Sequence, residues 1–306
     1  MELQSRIVRS GRWWLGVFRE AARNWSESQA FIYAAALAFF TAFSIAPVMI
    51  VAVTVAGVVL GPSAAEGQLL AQLRDVVGER AAGAVETAIV NSQLDQSGWL
   101  PTLAGVAAIL LGATTVFAQM QRSLNAIWDV APRPDKGGLW AFVKARVLSL
   151  TVVLAIGFVL LVSLALSVAV RGAIVFAEQW LPVPAWVMVG AENLASLTVV
   201  TLLFATLFKV LPDVVLSLRD VLLGGFVTAI LFTLGRSLIA IYLANTATAS
   251  AYGAAGSLAL LLLWVNYSAL ILLFGAAFTR ARFEALGKAV RPRNGAVRVH
   301  RDFSRG

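Results

Sequence analysis

Arg219-Asp220-Val221-Leu222-Leu223-Gly224-Gly225 opens a run that continues through Gly235-Arg236, Tyr242 and Tyr252-Gly253-Ala254-Ala255-Gly256, and closes on Gly275-Ala276-Ala277-Phe278-Thr279. Between Val221 and Thr279 the only charge is Arg236. About 20 apolar residues already cross the hydrocarbon core of a bilayer at roughly 1.5 Å per residue, so the run is too long for one soluble helix. It predicts two membrane helices joined by the small polar turn around Asn245 to Gly256.

The composition extends that reading to the whole chain of 306 residues, of which 59% are hydrophobic and 13% charged. With a mean hydropathy of +0.83, a water-soluble domain of this length could not hide its apolar surface in one core. The expectation is an all-α, polytopic membrane protein. There is no cysteine, and His300 is the single histidine, which removes disulfide frameworks and thiolate metal sites. No His/Glu cluster, Walker loop or GxSxG occurs, so neither a metal nor a cofactor is expected, and an enzyme is the weak hypothesis.

Working outward, apolar runs predict six crossings at about 31–60, 99–121, 147–170, 187–209, 221–244 and 257–279. The first is long and carries Pro47, which predicts a kink or break there, because proline removes a donor and clashes with the preceding turn. Pro47 is therefore the candidate hinge. Residues 1–29 mix arginines with Trp13, Trp14, Phe18 and Trp25, the pattern of an amphipathic helix at headgroup level rather than a cleavable signal peptide. Between the first two crossings, residues 66–95 turn acidic with apolar residues at helical spacing, which predicts an outer amphipathic hairpin. The tail from 280 to 306 is basic, with Pro292, Gly295 and little apolar periodicity, and is expected to be mostly disordered against anionic lipid.

Lys and Arg test the topology. In this arrangement twenty fall on the side of the termini and three, Arg74, Arg80 and Arg171, on the other. Such a bias places both termini in the cytoplasm and requires an even number of crossings. The net charge of +8 is thereby assigned to topology, and no nucleic-acid partner is expected.

Arg236 is the sharpest candidate for binding. It follows Val221 by fifteen residues, roughly 22 Å along a helix, which puts it in the outer half of the membrane. A charge there is costly unless it meets protein, water or a lipid phosphate. Either it snorkels to the outer headgroups or it contacts an anionic ligand, with Glu192 at a compatible depth as its nominated partner. Gln119, Gln121, Arg122 and Asn125 gather where crossing two leaves the membrane, and either line an inner vestibule or hydrogen-bond between helices. Lys209, Asp213, Arg219 and Asp220 cluster where crossings four and five meet, a pattern that pins a turn or gates a path.

Several segments together resemble the YihY/virulence factor BrkB family of bacterial inner-membrane proteins. They are Ala36-Leu37-Ala38-Phe39-Phe40 through Pro47, Arg122-Ser123-Leu124-Asn125-Ala126-Ile127-Trp128, Arg219-Asp220 with Gly224, Gly235-Arg236, and Tyr252-Gly253-Ala254-Ala255-Gly256-Ser257 through Trp264 to Thr279. The resemblance covers roughly residues 20 to 285 and implies a six-helix membrane fold. Members were once labelled a tRNA-processing ribonuclease, a label regarded as mistaken, and are described as candidate transporters or envelope factors. Family members commonly carry an acid in the last helix where this chain has Ala277. Asn266 and Leu270 likewise stand where typical members often have tyrosine and glutamine, and Asn266 joins the candidate substrate-binding residues.

The resulting expectation is a bacterial inner-membrane protein that moves or repositions an amphiphile or small solute. Its partners are membrane lipids, an anionic lipid among them. The alternative is a non-transporting envelope scaffold that uses its outer hairpin or basic tail, and the ribonuclease comes last.

Overall fold

The computed structural model describes residues 2–44, 115–133, 185–245, 253–293 and 295–299, with isolated helical positions at 67, 70, 71, 83, 86 and 172. In chain order the described elements are α1 (Glu2–Glu27), α2 (Ala30–Ser44), α3 (115–127), β1 (Val130–Pro132), α4 (Ala185–Val210), α5 (Leu218–Asn245), α6 (Gly253–Ala285) and β2 (Ala296–Arg298). Three of these helices carry segments long and apolar enough to cross a membrane, Asn193–Val210, Leu218–Ile239 and Ala259–Ala285. Crossing 147–170 and Pro47 lie outside the described residues, as do most of crossing 99–121 and of the 66–95 hairpin.

The chain divides into two compact units. One comprises Met1–Ala30, Gln121–Thr233 and Ile271–Gly306, and the other Phe31–Met120 and Leu234–Leu270.

In the first unit, α1 buries the stripe that its sequence spacing sets up. Val17 and Ala21, four apart on one helical face, pack against Phe278 and Ala281 of α6. Trp14 stacks on Phe278 with ring centroids 6.3 Å apart, and Trp25 meets Phe274 edge-on at 6.1 Å. These aromatics engage protein, whereas Leu15 on the far side is 71% exposed.

The helices are joined by local signals. Leu211-Pro212 follows the end of α4, where proline cannot continue the ladder. Ser217 then caps α5: its hydroxyl donates to Asp220 Oδ2 at 2.6 Å and accepts from the Asp220 amide at 3.3 Å, the N-cap half of a capping box. α4 and α5 touch backbone to backbone at Gly225, where a Cβ would stand 2.7 Å from the Thr201 carbonyl oxygen. α6 ends in a Schellman turn. Gly287 takes φ +71°, its amide bonds the Glu284 carbonyl at 2.8 Å, and the Lys288 amide bonds that of Phe283 at 3.2 Å.

Large apolar side chains stay uncovered along α5 at every fourth position, Leu218, Leu222, Phe226 and Ile230 in the first unit and Leu234 and Leu238 in the second. A continuous apolar row of that length suits hydrocarbon rather than water. In the second unit α2 does the same, burying Leu37 and Ala38 while exposing Phe31, Ile32, Phe39 and Phe43.

The described residues are mostly helical, as expected, with one short ribbon that was not foreseen: β1 and β2 pair antiparallel, with Val130 opposite Arg298, Ala131 opposite Val297 and Pro132 opposite Ala296. One expectation is corrected: the basic tail is not disordered over its described length. α6 continues to Ala285, and the following backbone runs beside 213–215, where the Val215 amide bonds the Arg291 carbonyl and the Arg293 amide bonds that of Asp213. Low apolar periodicity was a poor guide there, because this segment is held by backbone pairing with distant strands rather than by a buried face.

Candidate functional site

Of the residues singled out in the sequence, Asn125 is the one the structure ties most closely to others. It lies near the end of α3, 4% exposed, and grips the α4–α5 turn from both sides. Its Nδ2 donates to Asp213 Oδ2 at 2.8 Å, and its Oδ1 accepts from the Asp213 amide at 2.8 Å. Gln121 adds a longer bond to the same carboxylate oxygen at 3.2 Å. Satisfying a half-buried carboxylate with amides is cheaper than leaving it bare, so this cluster fastens one helix to the next turn. Arg122 is exposed and stands apart from it.

Gln119 is buried in the second unit, and Asn266 is half-buried on α6. Ala277, where relatives were expected to carry an acid, is fully buried. Arg236 is exposed on α5, inside the apolar segment Leu218–Ile239, and makes no ion pair among the described residues. Glu192 falls in α4, but its side chain, and with it the Arg236 pairing, lies outside the described residues.

The strongest electrostatic features sit where α5 begins and α6 ends, and sequence reasoning named only part of them. Asp220, 2% exposed, receives Lys288 Nζ at 2.8 Å and Arg282 Nη1 at 3.1 Å in addition to its Ser217 cap. Arg280 bridges Asp129 at 2.7 Å and Glu284 at 2.9 Å, and donates to the Ile127 carbonyl at 2.6 Å. The sequence held two local signals of this, the Ser217-x-x-Asp220 cap and the i,i+4 spacing of Arg280 and Glu284. Nothing local pointed to Asp129, which comes from the end of α3 in a left-handed conformation of φ 47°.

Beside this network lies a cleft of about 310 Å³, lined among others by Glu20, Arg23, Asn24, Asp129, Arg280 and Glu284. Asn24 is 8% exposed, and its Nδ2 has no hydrogen-bond partner among the described residues. The acids and bases here largely neutralise one another. Among the described residues no group of three or more acid, histidine or cysteine side chains is arranged to hold a metal ion. The arrangement ties α3, α5, α6 and the chain beyond α6 into one end of the first unit.

Comparison with known proteins extends the structural reading. The family model described as "Virulence factor BrkB" matches residues 21–298. A UPF0761 membrane protein of Alkalilimnicola ehrlichii is 30% identical over 70% of this chain and 47% of its own length. One from Azotobacter vinelandii is 30% identical over 79% of the chain and 57% of its own length. One from Chromobacterium violaceum is 28% identical over 95% of the chain and 66% of its own length. The chain thus spans about half to two thirds of the curated relatives it matches. No solved structure matches. With long apolar helices, an uncovered apolar row on α5 and a family match across most of its length, the chain belongs to the Virulence factor BrkB family of membrane proteins.

Proposed function

We propose that this chain is a six-crossing protein of the bacterial inner membrane, with both termini cytoplasmic, that moves or repositions an anionic amphiphile or small solute. Arg236 contacts the anionic group. The observation that carries this reading is the exposure of Arg236 within the apolar segment Leu218–Ile239, without an ion-pair partner among the described residues. A guanidinium at that depth is expensive beside hydrocarbon and is stabilised by a phosphate or carboxylate that shares the interface. The reading assigns no catalytic step and calls for no cofactor.

The test is reconstitution in liposomes holding a headgroup-labelled phosphatidylglycerol analogue, with loss of inner-leaflet fluorescence followed after a membrane-impermeant quencher is added. Wild type should expose the inner leaflet faster than empty liposomes. Arg236→Ala should slow that exposure about tenfold, the scale of one lost charge-assisted bond, while Arg236→Lys keeps part of it. Wild-type liposomes no faster than empty ones would contradict lipid movement, and an unchanged Arg236→Ala rate would remove Arg236 from it. Retained partner binding in either case would favour a scaffold.

A further inference from the structure

A second basic feature involves the segment that was expected to be mostly disordered. The β1–β2 ribbon and the turn before β2 enclose an open groove of about 550 Å³. It is lined by Arg133, Pro292, Arg293, Gly295, Arg298 and the small apolar residues of β2, and no acid is among its described lining residues. Arg298 is shared with the neighbouring cleft, where Glu20, Glu27, Asp129 and Glu284 also stand, so Arg133 and Arg293 are the bases that belong to the groove alone. Arg133 and Arg298 are both exposed.

Arg293 fixes both the shape and the depth of the groove. Its Nη2 donates to the Lys209 carbonyl at 2.5 Å and its Nη1 to that of Val210 at 3.2 Å, the last carbonyls of α4. Those carbonyls carry the negative end of the helix dipole, so part of the Arg293 charge is already used. The membrane-length apolar segment of α4 ends at Val210 itself. A span that ends there would put a guanidinium bonded to that carbonyl near the level of lipid phosphates. The Arg133 amide is bonded to the Gly295 carbonyl at 2.9 Å, which holds the two sides of the groove at fixed separation.

We infer that this groove binds a phosphate group, with Arg133 and Arg298 as its principal contacts and Arg293 as the residue that positions the turn. Guanidinium forks match phosphate oxygens in pairs, and the described lining of the groove adds no acid to compete with the anion at Arg133. The phosphate comes from an anionic lipid headgroup or from a soluble phosphate compound, and both present the same oxygens. The inference goes beyond Arg236 and does not depend on movement of any substrate.

The experiment is thermal unfolding of the purified, delipidated full chain in detergent, because a ligand that binds only the folded state raises the unfolding temperature with its concentration. Wild type and the Arg133→Gln/Arg298→Gln double variant are titrated with short-chain phosphatidylglycerol, short-chain phosphatidylcholine and inorganic phosphate. The expected result is stabilisation of wild type, with an apparent Kd about tenfold weaker or more in the double variant. Stabilisation by phosphatidylglycerol above phosphatidylcholine, with inorganic phosphate inert, identifies the lipid as the source. Stabilisation by inorganic phosphate alone identifies a soluble source. Both substituted side chains are exposed, so the unliganded unfolding temperature should hold. If the double variant fails to fold, Arg298→Gln alone carries the same comparison. No stabilisation of wild type by any of the three, or equal stabilisation of wild type and variant, overturns the inference.

Discussion

The Thr279 side chain fills the notch that Gly224 leaves on the facing helix, and Thr228 fills the matching notch at Gly275. A Cβ on Gly224 would stand 3.1 Å from Thr279 Cβ, and one on Gly275 would stand 2.9 Å from Thr228 Cβ, before the closer hydroxyls are considered. Each threonine hydroxyl is already bonded to the carbonyl of the glycine one turn back in its own helix, both at 2.7 Å. Gly-x-x-x-Thr therefore occurs twice, on α5 and on α6, and the two copies interlock where the helices run antiparallel. Small residues at such a contact let helix backbones approach without stranding a polar group.

Gly224→Ala and Gly275→Ala should each destabilise the fold by about 1–3 kcal/mol, the usual range for forcing atoms into a filled contact. Thermal unfolding in a fixed detergent measures the loss. Adding Thr279→Ala to Gly224→Ala should recover part of it, because the two positions share one space. Strictly additive losses would show that the notch is not shared.

Asp220 is held by Ser217, Arg282 and Lys288 while 2% exposed, and this pairing also predicts an asymmetry between the partners. Asp220→Ala leaves two cations facing no acid at the start of α5 and should cost about 3–5 kcal/mol, the scale for breaking a buried pair from one side. Lys288→Ala removes a side chain that is 41% exposed and should cost less than about 1 kcal/mol. Comparable losses in the two variants would contradict the burial assigned to Asp220.

Asn125 and Asp213 exchange two bonds at 2.8 Å across 88 positions of sequence. Asn125→Ala should cost about 1–3 kcal/mol by stripping a part-buried carboxylate of its donor. Combined with Asp213→Ala, the second loss should be much smaller than either alone, and a double-mutant cycle with no coupling term would refute the clamp.

α1 covers Phe278 and Ala281 with Val17 and Ala21, so its amides should resist hydrogen exchange in the folded protein. Ala21→Asp, at a fully buried position, should release that protection along α1 while sparing the amides of α5. Equal loss in both helices would mean that α1 is not a separable layer on α6.

These relationships mark what the sequence could and could not show. Hydropathy speaks for α4, α5 and α6 because every part of such a segment must be apolar to sit in lipid, and Arg236 is conspicuous for the same reason. The Ser217-x-x-Asp220 cap and the two Gly-x-x-x-Thr pairs are local spacings too, but neither was singled out in the sequence. The β1–β2 ribbon was not, because each strand is 3 residues long and its partner lies far along the chain, so no periodicity announces it. The same distance hid the union of Arg280 with Asp129 and of Asp220 with Lys288, since charges at helix ends pair with whatever the fold brings to them. For the tail this matters most: its arginines were expected in a mostly disordered segment against anionic lipid, and in the folded chain Arg293 fastens the end of α4.

Native mass spectrometry of protein extracted with minimal delipidation, comparing wild type with Arg236→Ala, tests the role of Arg236 most directly. The account predicts at least one anionic lipid fewer on the variant than on wild type, with both proteins folded. Equal lipid occupancy of wild type and Arg236→Ala, or wild type free of anionic lipid, would contradict an anionic lipid partner for this arginine.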